Sequence, residues 1–189
     1  LNSGPVQLCN GVMLAYFSSG AVTNEGAQKK LSQHDILETR ATALVKNPDL
    51  KDAMMYVVDE LVHYDAAEKL AFCKYQFPHH HSLIKGHFPD RPVMMGVMQW
   101  MMVEDAVLAL AYDWQRDGRY FVKGSAEIIK SDGTSVCEIK HFQVEVFWNQ
   151  AGFLNQVEIV KTEKISFRDV VLPGETIYIR LNDLETVAS

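Results

Sequence analysis

The side chains able to move protons or bind ions are concentrated between residues 79 and 105. His79, His80 and His81 are consecutive, His87 follows within Gly86-His87-Phe88-Pro89, and Glu104 and Asp105 stand in an otherwise apolar stretch. An imidazole titrates near neutrality, so His87 is of a type suited to general-base work, worth ~10²–10⁴ in rate when positioned. Neighbouring histidines on an extended segment point alternately to opposite faces and rarely hold one ion together, so no metal is expected at 79–81. Glu104 and Asp105 are acids that could donate a proton or activate water. They could equally mark where a helix emerges into solvent or a subunit interface.

The elements that would position these groups are legible from periodicity. Gly96 to Trp114 is apolar on nearly every side apart from Glu104, Asp105 and Asp113, which predicts a helix buried all round. Its methionines Met98, Met101 and Met102, with Met94, Met95 and Trp100, either fill a core or line a tunnel for an alkyl chain, to which flexible thioethers adapt. Met55 to Tyr64 and Leu70 to Phe77 are predicted strands joined by the four-residue link 65–68. Five further strands are predicted at 120–130, 135–148, 153–161, 164–171 and 175–181, broken at Asp132-Gly133, Asn149 to Gly152 and Pro173-Gly174. Upstream, residues 1–24 read as an irregular leader and Glu25 to Lys46 as an amphipathic helix stopping near Asn47-Pro48. A long buried helix followed by an antiparallel meander is an α+β pattern with the sheet wrapped around the helix.

Composition narrows the function classes. The 189 residues suffice for a single globular domain, and 48% hydrophobic content with 11 Gly and 6 Pro excludes collagen-like or broadly disordered chains. The net charge of -6 is the wrong sign for wrapping a phosphate backbone, so no nucleic-acid partner is expected. Residues 1–24 carry no charge but are interrupted throughout by Asn, Ser, Gly, Gln and Thr, and the longest uncharged run after them, Pro92 to Val103, is 12 residues, short of the ~18 that would predict a membrane span. The cysteines Cys9, Cys73 and Cys137 form no CxxC pair and are odd in number. A reducing, cytoplasmic setting is the simplest expectation, and no basic region precedes the apolar Val12 to Phe17 as a signal peptide would require.

The stretch Gly86-His87-Phe88-Pro89-Asp90-Arg91-Pro92-Val93-Met94-Met95-Gly96-Val97 resembles the signature of the 3-hydroxyacyl-ACP dehydratases of fatty acid synthesis, GHFP, two variable residues, P, then V/I-M-P-G-V/C-L. Tyr56-Val57-Val58-Asp59 is similar to that family's LVDRV, and Ile165 to Glu175 to its K-F-R-x-P-V-x-P-G-D segment, so the likeness spans about residues 53–114 and 162–181. It implies a hot-dog fold for residues 51–189, a curved antiparallel sheet wrapped around a long central helix, preceded by the leader and helix read above for residues 1–50. It also implies a homodimer, an acyl-ACP or acyl-CoA substrate and no cofactor.

The resemblance makes His87 the base that takes the C2 proton and the Gly96 backbone the donor to the thioester oxyanion. A helix N-terminus suits that role through its unpaired N–H groups and partial positive charge. Phe88, Pro92, Met94, Val97, Met98, Met101 and Met102 would line the substrate. Two positions depart from the family: Met95 replaces a proline, and Met101 stands fourteen residues after His87, where the family has its acid. Glu104 and Asp105 follow Met101 by three and four residues, displaced ~4.5–6 Å along a helix axis. Three activities are therefore expected as alternatives: a hydro-lyase using Glu104 or Asp105, a catalytically silent acyl-thioester-binding or partner subunit, or a thioesterase using the same acids.

Overall fold

The computed structural model describes residues 41–84, 90–149 and 154–188. Among these residues seven strands run in chain order: β1 (Thr42–Ala43), β2 (Glu60–Asp65), β3 (Leu70–Gln76), β4 (Gly118–Lys130), β5 (Ser135–Trp148), β6 (Leu154–Phe167) and β7 (Thr176–Ala188). One α-helix, α1 (Gly96–Trp114), separates β3 from β4, and short 3-10 turns occupy Ala53–Met55 and Ser82–Ile84. The strands form a single sheet of order β1-β2-β3-β7-β4-β5-β6, antiparallel throughout, with α1 packed against β2 to β7.

This corrects the expected α+β hot-dog fold with its sheet wrapped around a long central helix. The described residues are mostly sheet, 49% strand against 18% helix, with one nineteen-residue α-helix among them laid on seven antiparallel strands. Strand length is the physical reason. β4 to β7 have 13 or 14 residues each, spanning roughly 43–48 Å against ~28 Å for α1. Backbone pairing along those strands, rather than the helix, sets the frame.

Sequence periodicity underestimated the strands in two places. The predicted strands 153–161 and 164–171 meet in one β6 that runs on through 162–163 and ends at Phe167, so residues 168–171 are not strand. β7 continues past Leu181 to Ala188 because Asn182 to Ala188 pair with β4, although their side chains are largely exposed and carry no apolar alternation. At the other end, Thr42–Ala43 pair with β2, so the helix expected over 25–46 does not reach these residues; positions 25–40 lie outside the described residues. Helix α1 and strand β5 have the predicted bounds.

The core lies between α1 and one face of the sheet. Ala71, Cys73 and Tyr75 of β3, Ile177, Ile179 and Leu181 of β7, Ala126 and Ile128 of β4 and Val144 and Val146 of β5 bury there with Met98, Met102, Val103 and Leu110 of α1. Period-two alternation puts such residues on one face only while register holds. In β5 the buried set changes from odd (Cys137, Ile139) to even positions (Phe142, Val144, Val146), and in β7 from Leu181 to Leu184. Both changes are bulges facing Gly124, which pairs with Phe142, while the β4–β7 register slips between Lys123 and Ser125. One inserted residue on each neighbour keeps the apolar sides facing α1.

Gly124 is the residue that admits this double bulge. A Cβ there would lie 2.6 Å from the Asn182 carbonyl oxygen and 3.1 Å from Phe142. Gly124→Ala is expected to destabilise the fold by about 2–3 kcal/mol, as overpacking against backbone does. Gly133→Ala, at φ +85° with open space around it, serves as a milder control at ~1 kcal/mol. Urea unfolding followed by circular dichroism compares the two, and equal costs would remove the bulge from its assigned role.

Candidate functional site

The two distant segments that carry the family resemblance meet at the N-terminus of α1. The Met94 N–H donates to the Val171 carbonyl at 2.9 Å, and a Cβ on Gly96 would stand 2.9 Å from Cζ of Phe167. The space left by the missing Gly96 side chain is thus taken by an aromatic ring, which gives this glycine a packing reason beside the expected backbone one. Met95 caps the helix without a side-chain hydrogen bond, and its carbonyl accepts from the N–H groups of Met98 and Gln99 at 3.0 and 3.3 Å. The N–H groups of Gly96 and Val97 belong to the first turn, which has no intrahelical acceptors. They are the donors an anionic or carbonyl oxygen would meet.

The other expected site residues divide by exposure. Met94, Met98 and Met102 are buried in the core, Met101 is partly buried, and Val97 and Pro92 are exposed. His87 and Phe88 lie outside the described residues. His79 stands against Gly174 and His81 against the Phe77 ring at 6.1 Å, so these two histidines are engaged with different neighbours.

Glu104 and Asp105 are drawn into a cluster that sequence reasoning missed. Asp105 is fully buried, accepts from the Val57 N–H at 2.6 Å and is paired directly with the Lys51 ammonium. Glu104, about one-fifth exposed, lies 3.6 Å from the same ammonium and accepts from the Ile159 N–H at 3.3 Å. Lys51 in turn lies 4.8 Å from the centre of the Tyr56 ring, whose hydroxyl donates to the Asn47 carbonyl at 2.7 Å. Asp52 caps the 3-10 turn at Ala53–Met55 by accepting from the Met54 N–H, which holds the segment between Asn47 and Val57 in shape. Fifty-four residues separate Lys51 from Asp105, so no local pattern announces the pair.

Burial raises both carboxyls above their ordinary values. For Asp105 desolvation outweighs Lys51 and the Val57 N–H and pushes it up to about 6; for Glu104 the same desolvation, opposed by Lys51 and the Ile159 N–H, raises it as well. Both oxygens of Asp105 are engaged, one by the Lys51 ammonium and the other by the Val57 N–H, which leaves neither for a bound molecule. Of the two acids, only Glu104 reaches the surface, where Asp49, Lys51, Leu108, Gln156 and Glu158 surround it in a cavity of about 330 Å³. A larger groove of about 1030 Å³ follows the bulges, lined by Ser125, Glu127, Gln143, Lys161, Asn182 and Asp183 among others. Its wall carries charges of both signs, several already paired, as Arg168 is with Glu138. Neither of these cavities is lined by Gly96, Met98, Met101 or Met102.

Breaking the pair leaves a charge buried without its counterion. Lys51→Met is expected to cost about 3 kcal/mol, and Lys51→Met with Asp105→Asn to recover much of it, by denaturant unfolding. The pH dependence has a definite sign. Because the Asp105 carboxyl rises from 3.8 unfolded to about 6 folded, its favourable contribution is whole below pH 3.8 and is lost as pH rises through about 6. Relative to Asp105→Asn, which cannot titrate, the parent should therefore lose stability between about pH 4 and pH 7. A difference that is flat in pH would contradict the burial argument.

Comparison with protein-family models and with curated proteins finds no match to this chain, so the resemblance rests on its motif residues and the function on the chemistry of the site.

Proposed function

We propose that this chain is a dehydratase-like acyl-thioester-binding protein that receives a 3-hydroxyacyl group, carried on ACP or CoA, at the N-terminus of α1. The thioester carbonyl sits on the Gly96 amide, His87 is the base, and the acyl tail runs along Met98, Met101 and Met102. On this reading the chain binds the thioester as a partner subunit and does not complete the dehydration. The observation that carries it is the disposition of the acids: Met101 occupies the acid position, Asp105 is fully buried against Lys51 and Val57, and Glu104 is held by Lys51 and the Ile159 N–H. A proton donor must come within ~3 Å of its target, directly or through one water. Both acids are oriented instead toward the segment between Asn47 and Val57.

One observation favours hydro-lyase activity as a second reading. Glu104 is partly exposed and its carboxyl is raised by desolvation, the direction that keeps a general acid protonated toward neutrality. Asp105 has no share in that reading, nor in the thioesterase alternative. For a homodimer, support comes from the sheet: β6 is an edge strand of 14 residues with Val160 exposed, and such an edge presents unpaired backbone groups to a second copy. The buried thiols of Cys73 and Cys137 suit the reducing cytoplasm. Among the described residues no helix is long and apolar enough to cross a membrane.

Titration with a non-hydrolysable acyl-pantetheine, alongside a spectrophotometric assay of the 3-hydroxyacyl/2-enoyl pair, tests the proposal. The parent should bind the analogue and leave the acyl pair unconverted. Met101→Glu should gain detectable conversion, and His87→Ala in that background should remove it. If the parent turns over and Glu104→Gln abolishes turnover, the hydro-lyase reading replaces the binding one. Failure to bind any acyl-pantetheine overturns both. Light scattering at micromolar concentration should give twice the 21.4 kDa of the chain.

A further inference from the structure

Among the described residues two polar side chains are buried in the core, Gln99 and Asp105, and Gln99 has an unpaired oxygen. Asp105 has Lys51 and the Val57 N–H. Gln99 is 3% exposed, and its side-chain carbonyl Oε1 has no hydrogen-bond partner. A buried amide oxygen without a donor costs ~1–3 kcal/mol, and an apolar side chain of the same shape would avoid that cost. Its neighbours on the helix, Met98 and Met102, show that unbranched apolar side chains fit this region.

Position on the helix indicates what the carbonyl is for. Gln99 lies three residues after Gly96, so the two share a face of α1, and helical side chains lean toward the N-terminus, which directs the Gln99 amide back over the first turn. That turn offers the Gly96 and Val97 N–H groups as donors, and the Met95 cap places no side chain on them. The first turn therefore has hydrogen-bond donors and, on the same face of the helix, one buried acceptor that is not bonded to them. A molecule complementary to both carries a carbonyl oxygen and, close by, a hydroxyl. Val97, 48% exposed at the same turn, leaves an approach from the surface.

We infer that Gln99 is a specificity-determining residue, its Oε1 accepting a hydrogen bond from the 3-hydroxyl of the acyl group while the Gly96 amide receives the thioester carbonyl. The inference rests on the acyl-thioester reading above and adds to it a basis for choosing hydroxylated over saturated chains. A site built to hydrogen-bond a hydroxyl rejects the analogue lacking it, because its own polar group is then left unpaired.

Two amide analogues of acyl-pantetheine of equal chain length, one with a 3-hydroxyl and one without, test this by calorimetric titration of the full chain. The parent is expected to bind the hydroxylated analogue about five- to tenfold more tightly, the size of one net hydrogen bond in a buried setting. Gln99→Met should bring that ratio to about one while keeping or improving affinity for the saturated analogue, and its melting temperature should not fall. A parent that binds both analogues equally, or a Gln99→Met variant that keeps the parent's ratio, overturns the role of Gln99 and leaves the acyl-thioester reading standing. If neither analogue binds the parent, that reading falls and this one with it. The parent's ratio alone decides the matter should the variant fail to fold.

Discussion

A carboxylate taken completely out of water must be answered by a cation and by N–H donors, or it cannot stay ionised. Asp105 sits at that limit in the middle of α1, and the answer comes from outside the helix: the Lys51 ammonium and the Val57 N–H. The pair does more than neutralise a charge. It draws the segment from Asn47 to Val57 across α1, and Val57 and Val58, both fully buried, then deliver the chain into β2. The first strand pair is thereby anchored to the helix by electrostatics as well as apolar contact. Such pairs seldom add much net stability against an apolar replacement, but removing one member is costly. Their value here lies in fixing where one segment docks.

The same charge cluster limits the chemistry available to α1. An acid that must hold a lysine and a backbone amide is not free to serve a ligand, and Glu104 is bound into the same cluster through Lys51 and Ile159. The first turn of the helix, by contrast, has no side-chain cap from Met95 and has an unsatisfied acceptor in Gln99. Polar capacity is thus used up in the middle of α1 and left open at its start. That asymmetry is why the binding of a carbonyl compound is a better reading than acid-assisted elimination.

The sheet carries a parallel lesson about what frames the molecule. Its four long strands keep their apolar faces toward α1 through bulges that meet at Gly124, where only a hydrogen in place of a side chain clears the Asn182 carbonyl. Without those inserted residues, the alternation in β5 and β7 would turn half of each strand's apolar side chains to solvent. The bulges also bend the polar face into the groove beside Ser125 and Gln143, whose charges are of both signs.

Local information sufficed for α1, whose apolar run has no charged face to confuse the period, and for β5, whose breaks at Asp132-Gly133 and Asn149 are strong turn signals. That residues 92–97 and 165–175 touch, through Met94 and Val171 and through Gly96 and Phe167, was not part of that local information. Three further matters lay beyond it. The continuity of β6 and the length of β7 depend on partners in β5 and β4, because exposed polar residues join a strand when a neighbour supplies the hydrogen bonds. The balance of sheet over helix follows from those lengths, which is why an architecture centred on the helix was expected and a sheet frame was found. The fate of Glu104 and Asp105 depends on Lys51, half the chain away from β6 and fifty-four residues from Asp105, where no periodicity or spacing rule can connect them. By itself the sequence determined which residues are apolar and where the helix begins; the tertiary structure alone decided which charges meet, because a buried charge takes whichever partner the folded chain brings to it.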